Sequence, residues 1–486
     1  MKRFIPFILI VLSYPASAGD FSIPAGFPQL YNRVFSLEIA EARPGIDALK
    51  GPFRIYLENY VEFIEILNSN SESDFARASS YEASRLAALE NLDSGSPYNR
   101  FLRSEILIQW AILKLKFGKE TKGAYNLIQA SRLLSANQKE FPGFIPHYKS
   151  LGSIHVLMGS VPDNYKWALK LLGVRGSINQ GFSELEKATK DEIWGREALY
   201  CSLFLKAFTA RFNEEDNQTL IHYVHSRPGD LNARFLGASV SLRTQRAAQC
   251  LKILDGVPPG NAFLKCPVFY LHKGDTYLIA GEYSRAISAY QAYLGSTKGK
   301  TYLKDTHLKL YYAYLFSGDR EKSSYHFKMI PQAGNTHSEP DKNAVKFYQL
   351  IDKEAPPKEL LQARIAAEGG YYPETVKYLK QVKALSLSNE WLSEYYFLTG
   401  VCNHKNGQLA EAESHFQKAI STGSKTDWNS GSANASLHLG YVYQSGKQDA
   451  RARIYFEKAL SYKAHELKNT VDMKARAALD ELKTNT

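Results

Sequence analysis

One short pattern of small and aromatic residues recurs along the chain and restricts what it can fold into. The pattern is clearest at residues 270–290, 395–419 and 439–459. Each copy has a glycine, an alanine twelve residues later and an aromatic residue four residues after the alanine. The three sets are Gly274, Ala286 and Tyr290; Gly400, Ala412 and Phe416; and Gly440, Ala452 and Phe456. Recurrence of this kind indicates a stack of similar supersecondary units.

The spacing of these positions predicts helical hairpins. Small residues let two helices approach closely, and the aromatic side chains fill the space between successive hairpins. Glycines midway through the copies, such as Gly281 and Gly407, are expected to take the positive φ that ends the first helix. Weaker copies occur at residues 110–130, 310–331 and 366–382. One hairpin cannot bury its apolar face alone, so neighbours must stack. The predicted fold is all-α, a right-handed superhelical α-solenoid.

The pattern resembles the tetratricopeptide repeat, over roughly residues 100–464 and most strongly from residue 268. The resemblance implies a scaffold whose first helices line a concave groove that holds a segment of a partner. Mixed aromatic and polar side chains at these positions suit an extended peptide, although they are equally consistent with solvated residues that bind nothing. The predicted groove residues are Asp275, Tyr312, Glu394, His404, Tyr441 and Gln444.

The two ends of the chain have different patterns. Residues 1–18 have a basic start, an apolar run and an A-x-A site, which predicts a secretory signal peptide of bacterial type. Export to the periplasm or the periphery of the outer membrane follows. The remaining predicted units are an N-terminal helical region at 19–100, degenerate hairpins at 101–260, the repeat array at 261–464 and a capping helix at 465–486. The capping helix has apolar residues at helical spacing on one face and a polar opposite face.

The segment between Gly159 and Gly181 is longer than a repeat turn. An unbroken repeat would place its second small residue at position 164, so the turn contains 181 − 164 = 17 extra residues. Within the insert a short helix is predicted, and Ser177 with Gln180 resembles a capping box for the next helix. The insert helix carries Tyr165, Trp167, Leu169 and Leu172. A helix this short must lie against something, either its own array or a membrane surface or partner.

The same stretch, at residues 159–188, also shows a faint similarity to the inclusion body clearance family of tetratricopeptide proteins. The similarity covers about thirty residues, and the predicted export differs from that family's mitochondrial location. It therefore implies no role for this chain.

The charge balance argues against nucleic acid as a partner. Without Lys2 and Arg3 the chain has 58 basic and 49 acidic side chains, a net charge of +9. These charges are scattered, and the densest basic stretch, at 298–309, is modest. Acidic proteins, surface polysaccharide or anionic lipid head groups are the expected counterparts.

No motif predicts catalysis, a cofactor or a metal. GSTKGKT at 295–301 has one residue too few between its glycines for a phosphate-binding loop and follows a helix. His222 and His225 share a helix face, but two ligands do not make a zinc site. Cys250 and Cys266 flank a predicted hairpin turn, where either a disulfide or two buried thiols would fit.

These observations predict a non-enzymatic scaffold of the bacterial cell envelope that binds a protein or peptide. A glycan-binding protein on the same scaffold is the alternative. An enzyme with a site assembled from distant residues is the third possibility.

Overall fold

A computed structural model describes residues 22–92, 95–160, 177–257, 266–423, 430–463 and 465–484. Apart from one 3-10 turn at Ala384–Ser386, every regular element in these ranges is an α-helix. The predicted all-α solenoid is therefore confirmed.

The described part of the N-terminal region, residues 22–92, contains five helices. They are α1 (Phe27–Phe35), α2 (Ile39–Ala48), α3 (Pro52–Ser69), α4 (Glu72–Ala78) and α5 (Tyr81–Glu90).

The next helices lead from the N-terminal region to the array. They are α6 (Pro97–Lys116), α7 (Glu120–Glu140), α8 (His147–Gly159), α9 (Ile178–Ala188), α10 (Gly195–Phe208), α11 (Glu214–His225), α12 (Leu231–Arg243) and α13 (Ala247–Asp255). The boundary predicted at residue 100 falls inside α6.

The second half contains the clearest repeats. Its helices are α14 (Val268–Ile279), α15 (Tyr283–Ser296), α16 (Leu303–Ser317), α17 (Arg320–Gln332), α18 (Glu339–Lys353), α19 (Lys358–Glu368), α20 (Tyr372–Leu379), α21 (Asn389–Lys405), α22 (Leu409–Gly423), α23 (Ser430–Ser445), α24 (Asp449–Ser461) and α25 (Lys468–Thr484).

The repeat positions have the packing role that their spacing predicts. At each of the three first-helix glycines, a Cβ atom would lie 2.4–2.6 Å from a ring carbon of the second helix. The pairs are Gly274 with Tyr290, Gly400 with Phe416 and Gly440 with Phe456. These rings are fully buried. Each glycine thus provides the space into which its partner ring fits.

The turns behave as expected, with one exception. Gly281 has φ 78° and Gly407 has φ 76°, and the weaker copies have the same conformation at Gly118, Gly318 and Gly370. In the last repeat the residue with this positive φ is Lys447, at 57°. A glycine is therefore favoured at this turn but not obligatory.

The N-terminal region shares its core with the hairpins that follow it. Phe27 and Tyr31 of α1 pack with Phe53 of α3 and with Trp194, which directly precedes α10. Lys149 Nζ lies 2.5 Å from Glu105 Oε2 and 3.1 Å from Glu197 Oε2, so a buried ion-pair network joins α6, α8 and α10. The first helices therefore start the stack.

Distant turns of the solenoid also touch one another. The amide of Ala247 donates to the carbonyl of Gly369 at 3.3 Å, and Tyr372 donates to Gln245 Oε1 at 2.9 Å. These bonds join the α12–α13 turn to the α19–α20 turn. The first half of the chain thus closes against the second.

Helix α25 is more than the terminal cap that its sequence predicts. Its apolar face packs on α24 as expected, with Val471, Ala475 and Leu482 buried. The predicted polar face is not left to solvent, because Ala477 is 1% exposed in a cluster with residues of α8, α9 and α10. Arg211 donates to the carbonyl of Ala477 at 3.0 Å. The last helix therefore joins the two halves of the molecule.

Candidate partner-binding surface

An inner surface runs along the first helices of several hairpins, and Asp275 lies at one end of it. Lys309 Nζ, on α16, lies 2.8 Å from both Asp275 Oδ1 and Asp305 Oδ2. The hydroxyl of Tyr290 donates to Asp275 at 2.8 Å. Burial raises the pKa of Asp305 to about 6, although Lys309 acts in the opposite direction.

Two predicted groove residues are buried and line no open groove. Tyr312 is 4% exposed and stacks on Phe316. Glu394 is 5% exposed and lies 3.1 Å from a guanidinium nitrogen of Arg364. The expectation of an open position is wrong for both, because neighbouring helices cover this part of the inner surface.

Arg364 is surrounded by carboxylates from two helices and from the connection between α24 and α25. Its guanidinium contacts Glu394, Glu466 and Glu368, at 3.1, 3.0 and 3.3 Å. Burial raises the pKa of Glu394 to about 7; Arg364 opposes this shift and the two other carboxylates add to it. The side chain of Glu368 is 55% exposed. Of the charged residues along the inner surface, Glu368 is exposed, Asp275 and Lys309 are half-buried, and Arg364 and Glu394 lie buried beneath them.

The other three groove residues lie near α25 or beside the end of α21. Gln444 Nε2 donates to Glu481 Oε2 of α25 at 3.2 Å. Tyr441 is half-buried, and burial followed by the nearby charge of Glu481 raises its pKa. His404 is half-buried, and burial lowers its pKa. The cap helix therefore occupies part of the surface that the last repeat would offer.

The predicted insert helix, with Tyr165, Trp167, Leu169 and Leu172, lies outside the described residues. Helices α8 and α9 lie on either side of the insert, and α9 begins directly after Ser177, where the next helix is predicted to start. Ser177 Oγ accepts from the amide of Gln180 at 3.3 Å at the start of α9. The side chain of Gln180 donates to Glu184 instead of the cap, so only half of the capping box forms.

The structure also shows where the GSTKGKT stretch and the two cysteines lie. Residues 297–302 form the connection between α15 and α16. Cys250 and Cys266 are free buried thiols, so the disulfide alternative is wrong. No cluster of three or more His, Cys, Asp or Glu side chains suited to a metal occurs in the described ranges. In the same ranges, no helix is both long and apolar enough to cross a membrane.

Sequence reasoning missed a cleft of about 650 Å³ between the N-terminal helices and the array. Leu37 and Ile66 give it an apolar floor, and Arg43, Glu65 and Lys298 line it with charge. Leu37 has φ 67°, a left-handed conformation that is uncommon for a branched side chain. The cleft is lined by residues more than 200 positions apart in the sequence, so no local motif predicts it.

The family profile of the tetratricopeptide repeat matches residues 433–466. This range covers most of α23 and all of α24, where Gly440 packs against Phe456. The chain therefore contains at least one tetratricopeptide repeat, at residues 433–466. No curated protein sequence matches it.

Several solved structures resemble the chain at low sequence identity. A tetratricopeptide repeat protein from Parabacteroides merdae is 14% identical, with a TM-score of 0.34 over 61% of this chain and 99% of that one. Human IFIT1, in a dimer with m7Gppp-AAAA, is 13% identical, with a TM-score of 0.40 over 91% and 96%. Yeast Tom70 is 12% identical, with a TM-score of 0.20 over 88% and 97%. These likenesses carry no functional information.

Proposed function

We propose that this tetratricopeptide-repeat protein is a non-enzymatic scaffold of the bacterial cell envelope. It binds a protein or peptide segment through its inner surface. The repeats supply the scaffold, and the export pattern at residues 1–18 supports the location.

A charged network that reaches the exposed side chain of Glu368 carries this proposal. Asp275 and Lys309 form an ion pair, and Glu368 lies within electrostatic reach of both. Beneath Glu368, the buried Arg364 contacts both Glu368 and Glu394. Charges of both signs are thus fixed along four helices, with Glu368 accessible. An extended segment with polar side chains is the occupant that such a surface suits.

Site-specific photo-crosslinking in cells tests the proposal. A photoreactive residue replaces Glu368 on the inner surface in one variant and Tyr325 on α17 in the control. The two positions are matched, because Glu368 and Tyr325 are both exposed residues on helices of the array. We expect a discrete crosslinked protein in the envelope fraction from position 368 alone.

Two results would contradict the proposal. One is an equal set of crosslinks from both positions, which would show that the inner surface is not selective. The other is recovery of the protein in the cytoplasmic fraction. Binding on a glycan array, with no protein crosslink, would favour the glycan alternative instead.

A further inference from the structure

A small cavity of about 70 Å³ lies where the turn between α14 and α15 meets α16, α19 and α20. Aromatic residues in or next to α15, α16 and α20 line it together with one acid, and we call it the aromatic cavity. These residues are Tyr283, Phe316, Tyr371, Tyr378 and Glu374. The hairpins on both sides of α17 and α18 therefore meet around one small space.

Contacts among the lining residues hold the walls of the cavity in place. The ring centroids of Tyr283 and Phe316 lie 5.4 Å apart with their planes at 57°, so the two rings form a corner and not a stack. Gln362 of α19 donates to the hydroxyl of Tyr283 at 2.9 Å. Phe316 is buried, and Tyr283 and Tyr378 are half-buried. The cavity is thus formed by the fold itself, as ligand sites usually are.

The aromatic cavity is separate from the charged inner surface. Gln362 and Ala366 of α19 line the cavity, and Arg364 lies between them in the sequence. At 3.6 residues per turn, a separation of two residues turns a side chain to the opposite side of a helix. The cavity and the inner surface therefore lie on opposite sides of α19.

The surroundings of the aromatic cavity favour a positive charge. Residues in the last turns of α14, α16 and α19 line it, among them Ile279, Phe316 and Ala366. The carbonyl end of a helix has a partial negative charge, which favours cations. Helix α20 faces the cavity with its first turn, which has the opposite sign, but Glu374 in that turn adds a full negative charge. Three helix ends and one carboxylate therefore act together.

The described residues that line the cavity include no lysine, arginine or histidine. Arg285 of α15 is held elsewhere, because it lies 2.6 Å from Glu282 and its guanidinium carbon is 4.0 Å from the ring centroid of Tyr277. Burial and then the charges of Glu374 and Glu282 raise the pKa of Tyr371. The hydroxyl of Tyr371 is thus in a negative electrostatic environment.

The volume of the cavity restricts what can enter. One water-sized group needs about 10–15 Å³, so a cavity of about 70 Å³ admits about five to seven non-hydrogen atoms. A nucleotide or a sugar with its substituents is larger than this. A trimethylammonium group or the end of a lysine side chain fits.

We propose that the aromatic cavity binds an alkylammonium group, either of a small free amine or of a lysine side chain on a partner. Aromatic rings attract such a cation, Glu374 supplies the opposite charge, and the apolar side chains of Ile279 and Ile365 suit its methyl or methylene groups. The site does not require the segment proposed to bind the inner surface, so either proposal can fail without the other.

Ligand-observed NMR titrations of the full chain at constant ionic strength test the proposal. The cationic probes are tetramethylammonium and Nα-acetyl-lysine methylamide, and their neutral counterparts of similar shape are tert-butanol and Nα-acetyl-norleucine methylamide. We expect saturable binding of at least one cation and weaker binding of its neutral counterpart. The more tightly bound cation identifies the source as a free amine or a partner's side chain. Failure of both cations to bind saturably, or equal binding of the neutral counterparts, overturns the proposal.

Glu374→Gln tests the contribution of the carboxylate. It keeps the size of the side chain and should weaken cation binding about two- to fivefold, the range of an exposed ion pair. Glu411→Gln is the matched control, because Glu411 is likewise an exposed third residue of a helix, α22, and should bind the cation as the wild type does. Equal weakening in both variants would indicate only non-specific attraction and would overturn the site.

Two substitutions of Tyr378 separate the aromatic ring from general packing. Tyr378→Leu removes the ring and should weaken cation binding about two- to fivefold, whereas Tyr378→Phe keeps the ring and should retain binding. Circular dichroism establishes that each variant is folded, and the two glutamine variants decide the question if Tyr378→Leu does not fold. Wild-type affinity in folded Tyr378→Leu, or the same loss in both Tyr378 variants, would overturn the assignment of the rings to the cation.

Discussion

Replacement of Gly274 by alanine should destabilise the α14–α15 hairpin, although alanine is the better helix former. A Cβ at position 274 would lie 2.4, 2.6 and 2.8 Å from Cε1, Cδ1 and Cζ of Tyr290. Optimal carbon–carbon contacts are about 3.5–4.0 Å, so the ring and the helix would have to separate by about 1 Å. Tyr290 is fully buried and its hydroxyl is bonded to Asp275 at 2.8 Å, so the ring is held at both ends.

The magnitude follows from two opposing effects. Overpacking of a filled core costs about 1–3 kcal/mol, and with three ring atoms in conflict we expect the upper part of that range. The gain from replacing glycine within a helix is about 1 kcal/mol. The free energy of opening the hairpin should therefore fall by about 1–2 kcal/mol. Hydrogen exchange of the α14 and α15 amides is the appropriate assay, because repeat arrays open locally.

Gly295 provides the matched control in the same hairpin. A Cβ there would meet nothing within 4 Å, so Gly295→Ala should stabilise the hairpin by about 0.4–1 kcal/mol. Tyr290→Leu removes the ring that causes the conflict, and in that background Gly274→Ala should carry no penalty. Wild-type or greater protection in Gly274→Ala, or the same penalty with and without the ring, would refute the reasoning.

Three other predictions concern the rest of the molecule. Ser177→Ala removes the acceptor for the amide of Gln180 and should cost about 1 kcal/mol, measured by urea unfolding; an unchanged midpoint would mean that the cap contributes nothing. The native state holds the proton of Glu394 up to about pH 7, whereas the unfolded state loses it near pH 4.5, so its contribution to stability should be lost as pH rises through this window. Unfolding temperatures measured from pH 4.5 to 8 should therefore show a smaller decline for Glu394→Gln than for the wild type, and parallel curves would count against the assignment. Ala477→Glu places a charge in the contact between α25 and the first half, so small-angle scattering should show a larger radius of gyration with unchanged helix content; an unchanged radius would show that closure does not depend on this contact.

Local sequence determined the hairpins of this protein. Gly274, Gly400 and Gly440 each meet a ring of their own hairpin sixteen residues later, and the turn glycines act within a few residues. Contacts over such short separations produce a recurring residue pattern, because each hairpin needs a small residue opposite the same buried ring. The apolar face of α25 is likewise a feature that local sequence predicts.

Only the tertiary structure decided which surfaces stay open. Tyr312 and Glu394 hold positions that a straight array would expose, yet other helices bury them. Ala477 lies on the face of α25 that looks polar in the sequence, and it is buried because α25 meets α9 and α10. Closure of a solenoid results from small rotations summed over many hairpins, so no single segment encodes it and no local pattern predicts it.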